Sequence, residues 1–528
     1  MTSAKQPGPQ PDSSSEAGPS DNAPATGAIG VTRRSAIAFG AAAVVAAGEA
    51  LAQGRPPGGG QGGPPRGPQA APPPAAAPAQ PRGAHGNAGD FLTDVPDHPL
   101  DVVAGRPTDR SICLSLLAYA GRRVRVACRA ASGAARDVGE IDLAAGAPRE
   151  VVIADLAPGL GHSYEVRAAD GGEVLFAGEF QTARPAGAPF TFTITADSHL
   201  DRGTRLDIYE RTLRNVVADK PDLHFDLGDT FMTESYDDYR EAGRQYLAQR
   251  HWFGLVSRRA PVFLLLGNHD GEFGSVRQRD RQEMPLFAAK LRTSHFPNPL
   301  PDRFYSGNAT PVPGLGLPQN YYAFRWGDAE FIVLDSYWPT VERGGRGSLW
   351  DTTIGAEQYR WLTRTLETST ASLRFVFTHH LTGGGGRDHR GGVEVAPFYE
   401  WGGREEDGAE TFAANRPGWA MPIHQLLVKH RVNAVFRGHD HFYGRQELDG
   451  IAYQVVPQPS RAEGGRLTQP GEYGYRRGEF LPSPGHLRVS VEAGKARVDY
   501  VRAFLPEEAA RGRTNGRIDA SYELAARA

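Results

Sequence analysis

Val262-Phe263-Leu264-Leu265-Leu266-Gly267-Asn268-His269-Asp270 is a run of five apolar residues followed by a glycine, an amide, an imidazole and a carboxylate. A continuous apolar run of this length predicts a strand buried on both faces, as in a sheet covered by other layers. The polar cluster then falls just beyond the carboxyl end of the strand, where open α/β sheets bind their ligands. Four other stretches have the same form. Residues 190–196 lead into Asp197-Ser198-His199, residues 223–227 into Gly228-Asp229, residues 375–378 into His379-His380, and residues 434–437 into Gly438-His439-Asp440-His441. The glycines stand just before the polar groups, where a tight turn needs a residue without Cβ. Amphipathic stretches separate the runs. In residues 204–220, Leu206, Tyr209, Leu213, Val216 and Val217 share one helical face, and residues 236–256, 357–366 and 422–430 also read as helices. Further strands are predicted at 321–325, 330–335, 486–491 and 496–502. The alternation predicts an α/β domain of layered sheets flanked by helices over residues 189–505, followed by a C-terminal tail, 506–528.

Working outward, residues 97–184 have another character. Short alternating segments at 111–117, 123–129, 149–153, 164–168 and 174–181 are separated by turn residues and show no helical period, which predicts a small all-β sandwich. Leu156-Ala157-Pro158 followed by Tyr164-Glu165-Val166 resembles the tyrosine corner of fibronectin-type sandwiches. The two cysteines, Cys113 and Cys128, flank a turn at Ala120-Gly121. They either pair across that hairpin as a disulfide or are two small buried apolar residues. Two cysteines are too few for a thiolate cage, so a metal here would be held by oxygen and imidazole.

The first 52 residues begin rich in Pro, Ser, Ala and Gly. They continue with Thr32-Arg33-Arg34-Ser35-Ala36-Ile37, a mild apolar run at 36–47 and the small-x-small triplet Ala50-Leu51-Ala52. This pattern resembles a bacterial twin-arginine signal peptide, which implies passage through that export machinery, cleavage near Ala52 and a periplasmic or secreted product. Residues 53–96 read as a Pro/Gly-rich linker. No later stretch is long and apolar enough to predict a stable membrane span after processing. The net charge is -3, from 58 Lys and Arg against 61 Asp and Glu, which argues against a polybasic membrane binder. With no aromatic-basic stripe either, long nucleic acid is not an expected partner.

The five clusters D-x-H, G-D, G-N-H-D, H-H and G-H-D-H, in this order and each at a strand end, resemble the calcineurin-like metallophosphoesterase family over roughly residues 189–505. Asn320-Tyr321-Tyr322-Ala323-Phe324 and Phe331-Ile332-Val333-Leu334-Asp335 are similar to its purple-acid-phosphatase-like branch. The resemblance implies two metal ions (Fe, Mn or Zn), with Asp197, His199 and His441 on one, Asn268, His379 and His439 on the other, and Asp229 bridging them. It implies hydrolysis of phosphate mono- or diesters by a metal-activated hydroxide attacking in line, with His269 stabilising phosphoryl oxygens or protonating the leaving group. Asp270 either orients that imidazole or caps a helix. Thr230-Phe231-Met232-Thr233 follows Asp229 where Ser/Thr protein phosphatases carry Asp-Arg-Gly, and Met232 stands where purple acid phosphatases place a tyrosine ligand. The Ser/Thr protein phosphatase subclass is therefore disfavoured, and neither a tyrosinate-to-iron colour nor iron in particular is expected.

Candidate substrate residues are His380, Arg387, Tyr443 and Arg445, together with Arg390 in the long segment 381–419 between two ligand motifs. Two alternatives stand beside a small-molecule phosphoesterase: a nucleotide pyrophosphatase or nuclease on the same site, and a cell-surface binding protein with a vestigial site.

Overall fold

The computed structural model describes residues 90–528 except 132, 274–282, 341–347, 385–388, 463–466, 493 and 527–528. The predicted export signal, most of the linker and Arg387 lie outside the described residues.

Two sheets pack face to face. One has six strands in the order Val262–Leu264, Leu223–Asp226, Phe190–Thr195, Gly485–Glu492, Lys495–Arg502 and Ile518–Ala525. The first three of these run parallel, and the remainder pair antiparallel. The other sheet has eight strands: Ser306–Gly307, Tyr322–Trp326, Ala329–Val333, Leu373–Thr378, Ala434–Arg437, Ile451–Val455, Tyr443–Leu448 and Glu479–Leu481. Its central pairings, from Ala329–Val333 through Ile451–Val455, are parallel.

Alternation along the strands explains the layering. Phe192, Phe225 and Phe263 of one sheet meet Phe324, Phe331, Phe375, Phe377 and Phe436 of the other in a continuous aromatic core. Phe225 stacks on Phe377 with ring centroids 4.5 Å apart, and Phe192 meets Phe331 edge-on at 5.0 Å. Truncating one of these rings to alanine is worth about 3–5 kcal/mol. The intervening residues point outward under helices. Val262 and Leu264 pack with residues of Leu206–Ala218 and Gly243–Ser257. Ile332, Val376 and Val435 pack with residues of Gly355–Thr368 and Ile423–Lys429. Burial on both faces is why these strands read as unbroken apolar runs.

Ahead of this domain, residues 100–181 form a sandwich of a three-stranded sheet (Leu100–Gly105, Ile112–Ala118, Arg149–Ile153) and a four-stranded sheet (Ala135–Leu143, Arg122–Ala130, Gly161–Ala168, Val174–Gln181). Cys113 and Cys128 lie on different sheets and both are free thiols, so the hairpin disulfide does not form. Cys113 instead accepts from Arg106, 3.1 Å away, while Cys128 is part of the apolar core. Tyr164 does not bond back to its own domain as a tyrosine corner would. Its hydroxyl donates to the carbonyl of Ser257 at 2.8 Å, at the end of a helix of the α/β domain. Arg250 of the same helix, wholly buried, donates to Ser115 Oγ and O at 2.9 and 2.8 Å. The sandwich is thus docked on the α/β domain through buried polar contacts.

Two boundaries move. Phe91, read as linker, is buried and stacks on Tyr236 with centroids 4.0 Å apart, so residues from Asp90 onward pack on the α/β domain. The segment read as a C-terminal tail supplies the edge strand Ile518–Ala525, paired with Lys495–Arg502.

Candidate metal centre

The carboxyl ends of strands from both sheets meet at one rim. The six-stranded sheet contributes Asp197 and His199 after Phe190–Thr195, Asp229 after Leu223–Asp226, and Asn268 after Val262–Leu264. The eight-stranded sheet contributes His379 after Leu373–Thr378, and His439 and His441 after Ala434–Arg437. Asp197, His199, Asp229 and His441 each offer one donor atom, all within 4.8 Å of one another, and Asp229, His379 and His439 form a second such group. Asp229 belongs to both. Asn268 Oδ1 lies 3.1 Å from His379 Nε2, beside the second group. All seven residues named from the sequence therefore come together.

The loops that carry them are laced by backbone. Asp197 accepts from the His439 N–H at 3.0 and 2.9 Å, and Asp229 Oδ1 accepts from the His269 N–H at 2.7 Å. Five of the seven, Asp197, His199, Asp229, His439 and His441, have positive φ between 51° and 76°. Such backbone is uncommon outside glycine and gathers at functional sites. The neighbouring glycines serve close approach more than dihedral freedom. A Cβ on Gly267 would fall 2.1 Å from Asp229 N, and one on Gly438 would fall 2.6 Å from Asp197 Oδ2.

Two of the imidazoles are oriented from behind. His379 Nδ1 donates to the Leu227 carbonyl at 2.7 Å, which turns Nε2 toward Asp229 Oδ2 (3.3 Å) and Asp197 Oδ1 (3.8 Å). His199 Nδ1 meets Asp201 Oδ2 at 3.3 Å, and its Nε2 faces Asp229 Oδ2 at 3.5 Å and Asp197 Oδ1 at 3.9 Å. Backing an imidazole with a carboxylate or carbonyl is how ligating histidines are held. Burial opposes charge on His379, but Asp229 and Asp197 outweigh it and raise that imidazole to about 9. Burial works against the Asp197 carboxylate too, yet the charge of His441, bonding from His199 and the charge of His379 hold it well below the usual carboxylate range.

These residues fit a pair of metal ions. His199 Nε2 is buried with no hydrogen-bond partner, aimed between two carboxylates. The second group sets His379 Nε2 against an amide oxygen and carboxylate oxygens, an arrangement a shared cation satisfies. Imidazole, carboxylate and amide donors without sulfur suit Fe, Mn or Zn. The centre opens on one side. The side chains of Asp197, Asp229 and His379 are at most 1 % exposed, whereas His441 is 15 % and His269 29 % exposed.

His269 lies on that open side, its ring 5.6 Å from that of His199. Its Nδ1 sits 2.8 Å from Glu234 Oε1 and 3.2 Å from Ser235 Oγ. Asp270 does not orient this ring. Its buried carboxylate accepts four backbone N–H groups, from Gly267 (2.7 Å), Asp229 (3.1 Å), Thr230 (2.8 Å) and Phe231 (2.8 Å), and so ties the two loops bearing Asp229 and Asn268. His380 is buried behind the centre, stacked on His389 at 4.9 Å, and does not line the opening. Tyr443 is a core residue stacked on Tyr500 at 4.8 Å, and Arg445 lies 4.1 Å over the Tyr522 ring, so neither joins the site. Arg390 is held by the His439 carbonyl at 2.6 Å and Asp440 at 3.3 Å.

The sequence reading missed Asp201, Glu234, Gln245 and Gln249. Gln245 donates to the carbonyl of His199, and Gln249 donates to Ser198 Oγ at 2.8 Å. Both are wholly buried on the helix Gly243–Ser257, and polar residues on an inward helix face were the available signal.

The family model of calcineurin-like phosphoesterases matches residues 190–443, which span all seven donors. Two solved structures share the fold. PhoD is 15% identical, with 81% of this chain and 91% of that chain covered and a TM-score of 0.54. The purple acid phosphatase PPD1 from yellow lupin (Lupinus luteus) seeds is 13% identical, with 81% and 74% covered and a TM-score of 0.56. At these identities the likeness is one of fold. No curated protein matches the sequence. With the converging strand ends and the family match over them, residues 190–443 form a domain of the calcineurin-like phosphoesterases, a family of phosphoester hydrolases.

Proposed function

We propose that this protein is an exported phosphoesterase that hydrolyses small phosphate mono- or diesters at a two-metal centre. In this reading Asp197, His199 and His441 hold one ion, Asn268, His379 and His439 hold the other, and Asp229 bridges. The observation that carries it is the pair of donor groups sharing Asp229. Metal ions so held would acidify water and neutralise charge on phosphoryl oxygens. The protein's own residues supply the rest. Backbone N–H donors fix the carboxylates of Asp197 and Asp229 in place. Glu234 fixes the rotation and tautomer of His269 through Nδ1, leaving Nε2 to donate to a phosphoryl oxygen and then to give its proton to the departing alkoxide. Substrate enters on the side of His269 and His441, the most exposed imidazoles of the set.

Export is supported by Arg33-Arg34 before the apolar run, and no helix among the described residues is long and apolar enough to cross a membrane. The test is hydrolysis of p-nitrophenyl phosphate and bis-p-nitrophenyl phosphate by metal-stripped protein refilled with Mn, Zn or Fe. Metal-dependent cleavage of one in preference to the other assigns a monoesterase or a diesterase. Cleavage of neither with any metal, or near-normal turnover by Asp229→Asn, overturns the two-metal reading.

A further inference from the structure

We propose that His98, Asp101 and His251 form a separate metal site, for a zinc-class divalent ion, that fastens the β-sandwich to the α/β domain. Each residue offers one donor atom, and the three atoms lie within 4.8 Å of one another. The site shares no residue with the phosphoesterase centre. Its ligands come from the β-sandwich and from a helix of the α/β domain. His98 and Asp101 sit at the start of the first sandwich strand, Leu100–Gly105, and His251 lies on the helix Gly243–Ser257 against which that strand packs. The junction is already ordered there, since the Ala104 N–H donates to Ser257 Oγ at 3.0 Å.

The local chemistry fits an ion. His98 Nδ1 lies 2.6 Å from the Pro96 carbonyl, the backing contact by which ligating imidazoles are commonly oriented. That contact takes the Nδ1 proton and turns Nε2 toward Asp101 Oδ1, 2.6 Å away. At this distance the pair shares a proton, and a divalent ion would displace that proton and take Nε2 and Oδ1 as neighbouring ligands. The ring of His251 stands 4.7 Å from that of His98, tilted by 54°, and brings a nitrogen within 4.8 Å of the other two donor atoms. The other Asp101 oxygen accepts from the Tyr119 hydroxyl at 2.6 Å, which fixes the carboxylate. Asp101 is buried while both histidines are partly exposed, leaving an entry path and room for water as a further ligand. Two imidazoles, one carboxylate and an open position are a set that binds first-row divalent ions.

The Arg250 guanidinium opposes this, with Nε 3.9 Å from Asp101 Oδ2. Its terminal nitrogens are committed to Ser115 and to the His295 carbonyl, so it is held in place and does not compete as a mobile counter-ion. Asp97 favours positive charge at His98 and Glu210 favours it at His251, while Arg258 opposes it at His251.

The test is zinc binding by metal-stripped full chain, measured by equilibrium dialysis with elemental analysis at micromolar free zinc. Wild type is compared with His251→Ala and with His98→Ala, whose position ahead of the strand leaves the helix untouched. Each variant is expected to bind one equivalent fewer than wild type and to lose part of the zinc-dependent rise in unfolding midpoint. Hydrolysis of p-nitrophenyl phosphate stays within about twofold of wild type. Equal zinc equivalents in wild type and either variant, or an extra equivalent seen only at millimolar zinc, overturns the proposal and leaves a proton in the gap.

Discussion

Asp270 offers a sharp test of how the fold holds the centre, because one carboxylate ties two ligand loops. It is wholly buried, and its Oδ2 accepts from Gly267 and Asp229 N–H while Oδ1 accepts from Thr230 and Phe231 N–H. Asparagine has the same shape but turns one of those oxygens into an amide NH2. Whichever way the amide faces, two N–H donors then point at a donor. Hydrogen bonds to a charged group are worth about 1.5–3 kcal/mol each, so losing two costs about 3–6 kcal/mol. The loops that separate carry Asp229 and Asn268, and a 1 Å misplacement of reacting groups costs roughly 10²-fold in rate. Asp270→Asn is therefore expected to lose at least about 3 kcal/mol in urea unfolding. We expect kcat/KM to fall about 10²-fold or more and metal content to drop with it. The assays are urea denaturation followed by tryptophan fluorescence, nitrophenyl ester hydrolysis and elemental analysis. A loss below about 1 kcal/mol with normal metal content would refute the reasoning, since it would mean the four N–H bonds are dispensable.

Three further expectations concern residues around the centre. Glu234→Gln keeps its metal and its KM but lowers kcat by about 10- to 100-fold, because His269 loses a charge-assisted bond worth about 1.5–3 kcal/mol; unchanged kcat would remove Glu234 from the positioning of that ring. Asp201→Asn weakens metal binding by about 10- to 100-fold, as losses behind a ligating histidine commonly do, and a competition titration with a chelator measures it. Arg445→Ala leaves kcat/KM within about twofold, since its guanidinium rests on Tyr522 away from the donors; a tenfold rise in KM would return Arg445 to the substrate path.

What the sequence revealed and what it hid divide along physical lines. The strands that end in ligands are buried on both faces, so they appear as unbroken apolar runs, and their polar ends stand out by contrast. The edge strand Ile518–Ala525 buries little beyond Ala520 and Tyr522, too weak an alternation to distinguish from a tail. Phe91 and Leu92 are an isolated apolar pair after a long Pro/Gly stretch, and the cluster they join, Tyr236 included, is built from residues far along the chain. Tyr443 and Arg445 were chosen for closeness in sequence to His441. The Asp449-Gly450 turn, which folds Tyr443–Leu448 back on Ile451–Val455, was the sign that they belong to a strand instead. Glu234 and Asp201 were illegible for another reason. Each meets a histidine through a loop conformation, and no periodicity encodes such a pairing.

The backbone of the centre bears on whether the site works or is a relic. Asp197, His199, Asp229, His439 and His441 all hold left-handed φ, at a cost of about 1–3 kcal/mol for each residue kept in a sparsely populated region. The surroundings sustain that strain by specific means: the four N–H bonds to Asp270, the His439 N–H on Asp197, and Gln245 and Gln249 gripping the loops of His199 and Thr230. Each of these supports is itself a buried polar group that would cost free energy if unpaired. A protein whose function was binding through its sandwich would gain stability by replacing the strained carboxylates and imidazoles with glycine or asparagine. Nothing in the packing of the two sheets prevents this, because the aromatic core lies between the sheets while these residues stand beyond the strand ends. Leu200 and Met232 beside the centre share this backbone without offering a donor, but five of the seven donors hold it and converge on the same two groups, which is the arrangement of a site kept for a ligand rather than of a relic.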